Sequence, residues 1–229
     1  IRGNSRRTIA LVSDEDGEAT MVNEPGPIIS TREWETLCAL VDNKLPDASV
    51  MVLTGNVPLG APIDGYAYLI RLAAREGVPT ILDTSGEALR HGVAANPAVV
   101  KPNAEELSEL TGMSDPLAGA STLRDRGAQS VVVSLGARGL LAITEDGSWR
   151  ATPTQELHGN PAGAGDAVVA ALAAGIDAKT DWPQRLSDAV ALSTAAVSAG
   201  LAGEFDARRY QQQPEAMQLE EIHAPGSYR

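Results

Sequence analysis

An α/β fold, with a mainly parallel sheet covered by helices on both faces, is predicted by two observations. Short apolar runs, Ser49-Val-Met-Val-Leu53, Thr80-Ile-Leu-Asp83, Ala98-Val-Val-Lys101 and Ser130-Val-Val-Val-Ser134, alternate with segments of helical periodicity. Strands buried on both faces read as such continuous runs. The connections between them are of helix length, as parallel neighbours require. A third observation adds antiparallel parts. Two pairs of runs are joined across acidic glycine turns, which gives a small β appendage near the start and an antiparallel edge further on.

In chain order, Ile1 to Val12 passes from a polar loop into a β-branched run, turns at Asp14-Glu-Asp-Gly17 and resumes from Ala19 to Val22 as a hairpin. Asn23-Glu-Pro-Gly-Pro27 is excluded from regular structure, and Ser30-Thr-Arg-Glu33 is a capping box ahead of a helix carrying Trp34, Leu37, Leu40 and Val41. After the strand at Ser49–Leu53, Thr54-Gly-Asn-Val-Pro-Leu-Gly60 forms a loop at a strand end. Pro62 is expected to start the next helix, with Ile63, Tyr66, Leu69, Ile70 and Ala73 along one face and Gly77 closing it. A strand over Thr80–Asp83, a short helix near Glu87–His91 and a strand ended by Pro102 follow. Helices are predicted from Asn103 and over Asp115–Arg126. Leu140–Thr144 and Ser148–Ala151 pair across Asp146-Gly147. Beyond a loop at 153–162, helices are expected near 164–178 and 184–199, a short one from Asp206, and a last strand over Met217–Ile222 before a polar tail.

The 229 residues, 43% hydrophobic, suffice for a substantial core in one domain with a small appendage. A formal net charge of −12 argues against general binding to nucleic acid or an anionic membrane, whose charges repel an acidic surface. Local anion binding needs gathered cations, and Arg2, Arg6 and Arg7 form such a cluster, whose plain reading is a solvated basic patch. Cys38 is the single cysteine, so no intrachain disulfide forms and a reducing compartment is permitted. His91, His158 and His223 are too scattered for a metal cage. With no apolar run of membrane-spanning length and no signal core, a cytoplasmic location is expected.

Gly159-Asn-Pro-Ala-Gly-Ala-Gly-Asp166 feeds the apolar run Ala167–Ala174. Glycines at 163 and 165 let backbone approach a ligand, and the helix behind adds the positive end of its dipole, which together make an anion site. Asp166 sits beside it in the first turn. That pairing suits phosphoryl transfer, in which an Asp accepts the substrate hydroxyl proton, although Gly and Asp at a helix start are also ordinary capping chemistry. Lys101-Pro-Asn-Ala-Glu-Glu106 allows two readings as well. Asn103 and Glu106 make a reciprocal capping pair, or stand near hydrated Mg²⁺ with Lys101 near phosphate. Ser134-Leu-Gly-Ala-Arg-Gly139 is either a tight turn or an approach for nucleotide phosphate. Neither a P-loop nor a dinucleotide fingerprint occurs.

Taken together, Asn23-Glu-Pro-Gly-Pro27, Asp83-Thr-Ser-Gly-Glu87, Lys101-Pro-Asn103 with Glu106, Ser134-Leu-Gly136 with Gly139, and Gly163-Ala-Gly-Asp166 resemble, in order and spacing, the PfkB family of sugar kinases. Within it the chain is most similar to the branch of 1-phosphofructokinases, minor 6-phosphofructokinases and tagatose-6-phosphate kinases. The resemblance runs from Ile1 to about Phe205. It implies a ribokinase-like three-layer α/β/α fold with a small β lid, residues 1–29 supplying lid and connection and residues 30–229 the nucleotide-binding core. It further implies transfer of the ATP γ-phosphoryl group to a hydroxyl of fructose 1-phosphate, fructose 6-phosphate or tagatose 6-phosphate, with Mg²⁺.

By the resemblance, Asp166 matches the catalytic base and Gly163, Ala164 and Gly165 the anion hole. Lys101, Ser134, Gly136 and Gly139 match the ATP side, and Asn103 and Glu106 the motif that organises Mg²⁺ through water. Arg6, Gly55 and Asn56 match the side that meets the sugar phosphate. Ser5-Arg-Arg-Thr8 stands where Thr-Arg-Thr-Asn is usual, and Thr54-Gly-Asn-Val-Pro58 where Ser-Gly-Ser-Leu-Pro is usual; both departures touch the acceptor side. The family's opening elements, with an Asp that holds sugar hydroxyls and a Gly-Gly-x-Gly loop, are expected to be missing before Ile1. That would leave apolar surface and strand edges uncovered. A homodimer through the lid is also implied. Kinases of unphosphorylated sugars or nucleosides, and a catalytically silent nucleotide-binding or interface protein, are the alternative readings.

Overall fold

The computed structural model describes residues 4–12, 19–154, 159, 161–199, 203–212 and 217–222. The expected turn at Asp14–Gly17, together with Arg2, Asn160, His158, His223 and the polar tail, lies outside the described residues.

Strands β1 (Thr8–Val12) and β2 (Ala19–Asn23) form the separate antiparallel hairpin, with Ile9 opposite Val22 and Leu11 opposite Thr20. The capping box then starts α1 (Thr31–Lys44): Ser30 Oγ accepts from the Glu33 amide, and the Glu33 carboxylate accepts from the Ser30 amide at 2.8 Å. A 3₁₀ turn over Leu45–Asp47, unforeseen in the sequence, leads to β3 (Met51–Thr54). Helix α2 (Gly65–Arg75) begins three residues after Pro62, because the Gly65 amide closes a turn onto the Pro62 carbonyl at 2.9 Å. Next come β4 (Thr80–Asp83), α3 (Gly86–Val93) and β5 (Val99–Val100), the last shorter than its apolar run. They are followed by α4 (Ala104–Thr111), α5 (Pro116–Asp125) and β6 (Ser130–Ser134).

Strands β7 (Leu140–Ile143) and β8 (Ser148–Pro153) make the second hairpin, and α6 (Ala164–Asp177) follows. Helix α7 (Trp182–Val197) starts two residues earlier than expected, since Asp181 caps it by accepting from the Gln184 amide at 2.9 Å. Pro183 fits in the first turn, where no amide is needed. Helix α8 (Ala207–Gln212) and β9 (Met217–Glu221) complete the order.

The main sheet runs β3-β4-β5-β6-β7-β8-β9, parallel from β3 to β6 and antiparallel from β6 onward. Alternate residues of each parallel strand feed opposite cores, as the two-residue period demands. Leu82, Val100, Val131 and Val133 pack with Leu69, Ile70, Leu89, Leu107 and Leu123 from α2 to α5. Ile81, Val99 and Val132 pack with Val168, Leu172, Leu186 and Val190 from α6 and α7. Each such fully buried aliphatic side chain contributes roughly 1.5–3 kcal/mol. The result is the three-layer α/β/α arrangement, with the carboxyl ends of β3, β4, β5 and β6 opening on one side. Among the described residues β3 is an outer strand, and Val52 on it is exposed. No helix among them is long and apolar enough to cross a membrane.

Candidate active site

The register of the parallel strands brings the chemistry together. Leu82 lies opposite Val100, so Asp83 and Lys101 emerge side by side, and the Lys101 amide donates to the Leu82 carbonyl at 2.9 Å. Their side chains form an ion pair of 3.1 Å, with 16% of Asp83 and 5% of Lys101 exposed. Burial pushes the Asp83 carboxyl above its ordinary value; Lys101 opposes that rise, and the nearby Asp166 adds to it. The next element towards Lys101 comes from far along the chain. A Cβ on Gly165 would lie 3.6 Å from the Lys101 ammonium nitrogen, so this glycine carries the start of α6 directly over the lysine.

Gly163 caps α6 in the left-handed region at φ +86°, which sets the loop's turn into the helix. The Ala164 amide donates to the Pro161 carbonyl at 3.1 Å. Among the described residues, none accepts from the amides of Gly165 and Asp166. These are therefore the orphan donors of the helix start, carrying its partial positive charge. Of the three anion-hole residues named from the sequence, Ala164 thus has its own amide engaged, while Gly163 and Gly165 frame the turn. Asp166 follows in the first helical turn with its side chain exposed.

Asn103 and Glu106 form the capping box completely. Asn103 Oδ1 accepts from the Glu106 amide and Glu106 Oε2 from the Asn103 amide, both at 2.8 Å. Glu106 Oε1 stands outside that pair, so capping leaves an oxygen for a hydrated cation. Burial raises the Glu106 carboxyl; the Asn103 amide and Lys101 lower it, and Asp83 raises it. The buried Lys101 ammonium thus pairs with Asp83 and acts on the Glu106 carboxyl, while Asp166 acts on Asp83. Among the described residues, no three His, Cys, Asp or Glu side chains converge closely enough to hold a metal by themselves. Such a donor set fits Mg²⁺ held through water and phosphate oxygens, which this ion tolerates because it dehydrates reluctantly.

Ser134 joins this group because its amide donates to the Pro102 carbonyl at 3.0 Å and a parallel bridge pairs it with Asn103. The turn after it is closed by the Leu135 amide on the Gly139 carbonyl at 2.9 Å. Gly139 sits at φ +81°, where a Cβ would fall 2.0 Å from the Ala151 carbonyl oxygen. Asn103, Ser134, Gly136, Gly139 and Gly165 line a cavity of about 630 Å³ whose far wall is α7. That volume lies within the usual range for small-molecule sites, and a mainly apolar wall with a few polar groups suits a nucleotide base. Val190, Thr194 and Val197 of that wall carried no sequence signal, and the buried Thr194 hydroxyl has no hydrogen-bond partner among the described residues.

Gly55 and Asn56 leave the end of β3, exposed, with Gly55 at φ +80°. The Gly55 amide donates to the Asp83 carbonyl at 2.9 Å, which joins this loop to the central pair. Arg6 is exposed, its stem beside Gly26. Arg7 is consumed by Glu24: its amide donates to Oε2 at 2.9 Å and its guanidinium to Oε1 at 3.0 and 2.7 Å. That pairing holds the Glu24 carboxyl below its usual range. Sequence reading missed Asp83 as a site residue and missed the Glu24 partner of Arg7, because both depend on contacts distant in sequence.

Residues 2–207 match the family described as pfkB family carbohydrate kinase. A 1-phosphofructokinase of Xanthomonas campestris pv. campestris is 35% identical over 221 residues, covering 91% of this chain and 67% of that protein. A tagatose-6-phosphate kinase of Staphylococcus epidermidis is 32% identical over 184 residues, covering 77% of this chain and 59% of that protein. The crystal structure of phosphofructokinase-2 from Escherichia coli in complex with substrates and products superposes with a TM-score of 0.78 at 26% identity, covering 90% of this chain and 69% of that one. The fold is therefore ribokinase-like, and the chain belongs to the pfkB family of carbohydrate kinases.

Proposed function

We propose that the protein transfers the γ-phosphoryl group of ATP to a hydroxyl of a phosphorylated ketohexose, giving a sugar bisphosphate. The observation that carries this reading is the meeting of Lys101 with the start of α6, where a Cβ on Gly165 would come within 3.6 Å of the ammonium. An anion-binding helix start, a buried cation and an exposed carboxylate then share one place, the chemistry that phosphoryl transfer needs. Asp166 accepts the acceptor hydroxyl proton, while Lys101 and the amides of Gly165 and Asp166 hold the transferring group's oxygens. When bound, ATP supplies the phosphoryl group and Mg²⁺ offsets its charge. Asn103 and Glu106 would hold that ion through water, and the turn from Ser134 to Gly139 would admit the nucleotide.

The named activities of the two curated relatives, a 1-phosphofructokinase and a tagatose-6-phosphate kinase, support a sugar phosphate as acceptor. One observation favours a second reading, an unphosphorylated sugar or nucleoside. Arg7 is spent on Glu24, which thins the positive charge offered to an acceptor phosphate. A coupled ADP-release assay over fructose 1-phosphate, fructose 6-phosphate, tagatose 6-phosphate, fructose and a nucleoside separates the two. Turnover only with a phosphorylated ketohexose, abolished in Asp166→Asn with ATP affinity retained, is expected. Turnover with the neutral acceptors alone, or full activity of Asp166→Asn, would overturn the proposal.

The hairpin supports a homodimer. Ile9, Leu11 and Val22 share one of its faces by register and are 53%, 59% and 49% exposed, an apolar strip suited to a second copy.

A further inference from the structure

The loop that leaves β3 is tied to β4 by the Gly55 amide, which donates to the Asp83 carbonyl at 2.9 Å. A second restraint comes from α2. The Tyr66 hydroxyl donates to the Thr54 carbonyl at 2.9 Å and lies 3.2 Å from the Gly55 carbonyl, its single proton shared between them. Its ring is half-buried against the sheet-side core, and the turn from Pro62 to Gly65 fixes where it stands. Gly65 is held in turn against Trp34, where a Cβ would fall 2.8 Å from the indole ring. Burial, and then the Asp83 carboxylate, push the hydroxyl above the ordinary tyrosine value, so it remains a donor at any pH the fold meets.

Planar trans peptides turn this bond into an orientation. In a trans peptide the C=O and the following N–H point in opposite directions. The Thr54–Gly55 peptide is accordingly gripped at both ends, its carbonyl on Tyr66 and its amide on the Asp83 carbonyl at 2.9 Å. The Gly55–Asn56 peptide is gripped at its carbonyl, which sends the Asn56 amide the opposite way, and among the described residues nothing accepts from that amide. Gly55 at φ +80° lacks the Cβ that would otherwise resist a peptide flip. A flip would turn a carbonyl oxygen outward where an amide now stands, and an anion there would be repelled.

We propose that Tyr66 is a positioning residue for the acceptor phosphate: its hydroxyl fixes the Gly55–Asn56 peptide so that the Asn56 amide faces the anion. The inference rests on the sugar-phosphate reading of this loop given above. Tyr66 touches no reacting atom, so its removal acts on acceptor binding and spares the transfer step.

The test measures KM and kcat for the best sugar phosphate, with ATP affinity by calorimetry and the thermal midpoint, in Tyr66→Phe and Asn56→Ala. Tyr66→Phe is expected to raise the acceptor KM about threefold to tenfold, the loss of one hydrogen bond, with kcat and ATP affinity within twofold. Replacing Tyr66 by 4-aminophenylalanine, which restores a donor, should return KM, and 4-methoxyphenylalanine, which cannot donate, should not. These two replacements keep the ring, so they decide the matter even if the phenylalanine variant folds poorly. A raised KM in Asn56→Ala beside an unchanged KM in Tyr66→Phe would overturn the Tyr66 inference alone. Asn56→Ala keeps the backbone amide, so the loop itself is tested by an ester in place of the Gly55–Asn56 amide, which removes that N–H: an unchanged KM there would take the phosphate away from this loop, and with it the Tyr66 inference.

Discussion

Asp83 and Lys101 stand opposite each other at the ends of neighbouring strands, 3.1 Å apart and both largely withdrawn from water. Burial raises the Asp83 carboxyl in spite of the lysine beside it, so the pair does not recover the whole cost of its desolvation. Such pairs stabilise a fold weakly, whereas removing one partner strands the other. The position of this pair is better explained by the lysine's place under Gly165 than by stability. Asp83 is the counter-charge of that ammonium, paired with it at 3.1 Å.

Asp83→Asn is therefore expected to cost more activity than stability. The stability loss should be about 2 kcal/mol, below the usual cost of a broken buried pair, because Glu106 remains near the ammonium. Turnover should fall at least about tenfold as Lys101, released from Asp83, turns towards Glu106. Urea titration and steady-state kinetics on the same preparation check both. A variant that turned over within twofold of the parent would remove the positioning role.

How much of this was legible in the sequence depends on the range of the interaction. The strands, the helices and the capping boxes at Ser30–Glu33 and Asn103–Glu106 are set by neighbours within a few residues, and they were readable. The layered α/β/α sheet followed from the alternation of elements. The pairing of Asp83 with Lys101 needs the β4–β5 register, the approach of Gly165 needs a chain reversal across 64 positions, and Tyr66 looked like one more apolar contact of a helix. Arg7 read as free charge because Glu24 lies across the hairpin. Local chemistry marked where anions and carboxylates would be, and only the fold decided which were engaged with each other.

Two glycines of one turn give a contrast. Gly139 has φ +81° with a Cβ position 2.0 Å from the Ala151 carbonyl oxygen, whereas Gly136 has φ +62° with open space around it. Gly136→Ala should cost about 1 kcal/mol, the left-handed penalty alone. Gly139→Ala must also push the backbone of β8 away and should cost about 3 kcal/mol while weakening ATP binding, since that turn lines the cavity. Chemical denaturation of both variants decides; equal losses would mean that the close approach to Ala151 does not constrain the turn.

Glu33 provides a pH test remote from the site. The Ser30 amide and then the Ser30 hydroxyl, both bonded to its carboxylate, are the largest causes that lower its pKa from 4.5 to about 2. A depressed carboxylate contributes stability that is present above the unfolded value and is lost as pH falls through the folded one. The difference in thermal midpoint between the parent and Glu33→Gln should therefore be full near neutrality. It should shrink from about pH 4.5 downward and vanish near about pH 2. A difference independent of pH over that window would show that the capping box does not depend on the charge.

The hairpin strip yields the last prediction. Ile9 and Leu11 lie on one face of β1, and Val22 stands directly across from Ile9, all three about half exposed. Apolar side chains in a contiguous strip lose favourable burial unless a partner covers them, and a two-fold arrangement would set the same strip of each copy against the other. Introducing charge at its centre, Leu11→Asp, would then bury two like charges at the interface, which like-charge repulsion and desolvation both oppose. Light scattering after size exclusion should show the parent as a dimer and Leu11→Asp as a monomer. Each hairpin should keep its internal pairing, because Leu11 is opposite the polar Thr20 and takes no part in the sheet core. A monomeric parent, or a Leu11→Asp variant that stays dimeric, would take the dimer contact away from this face.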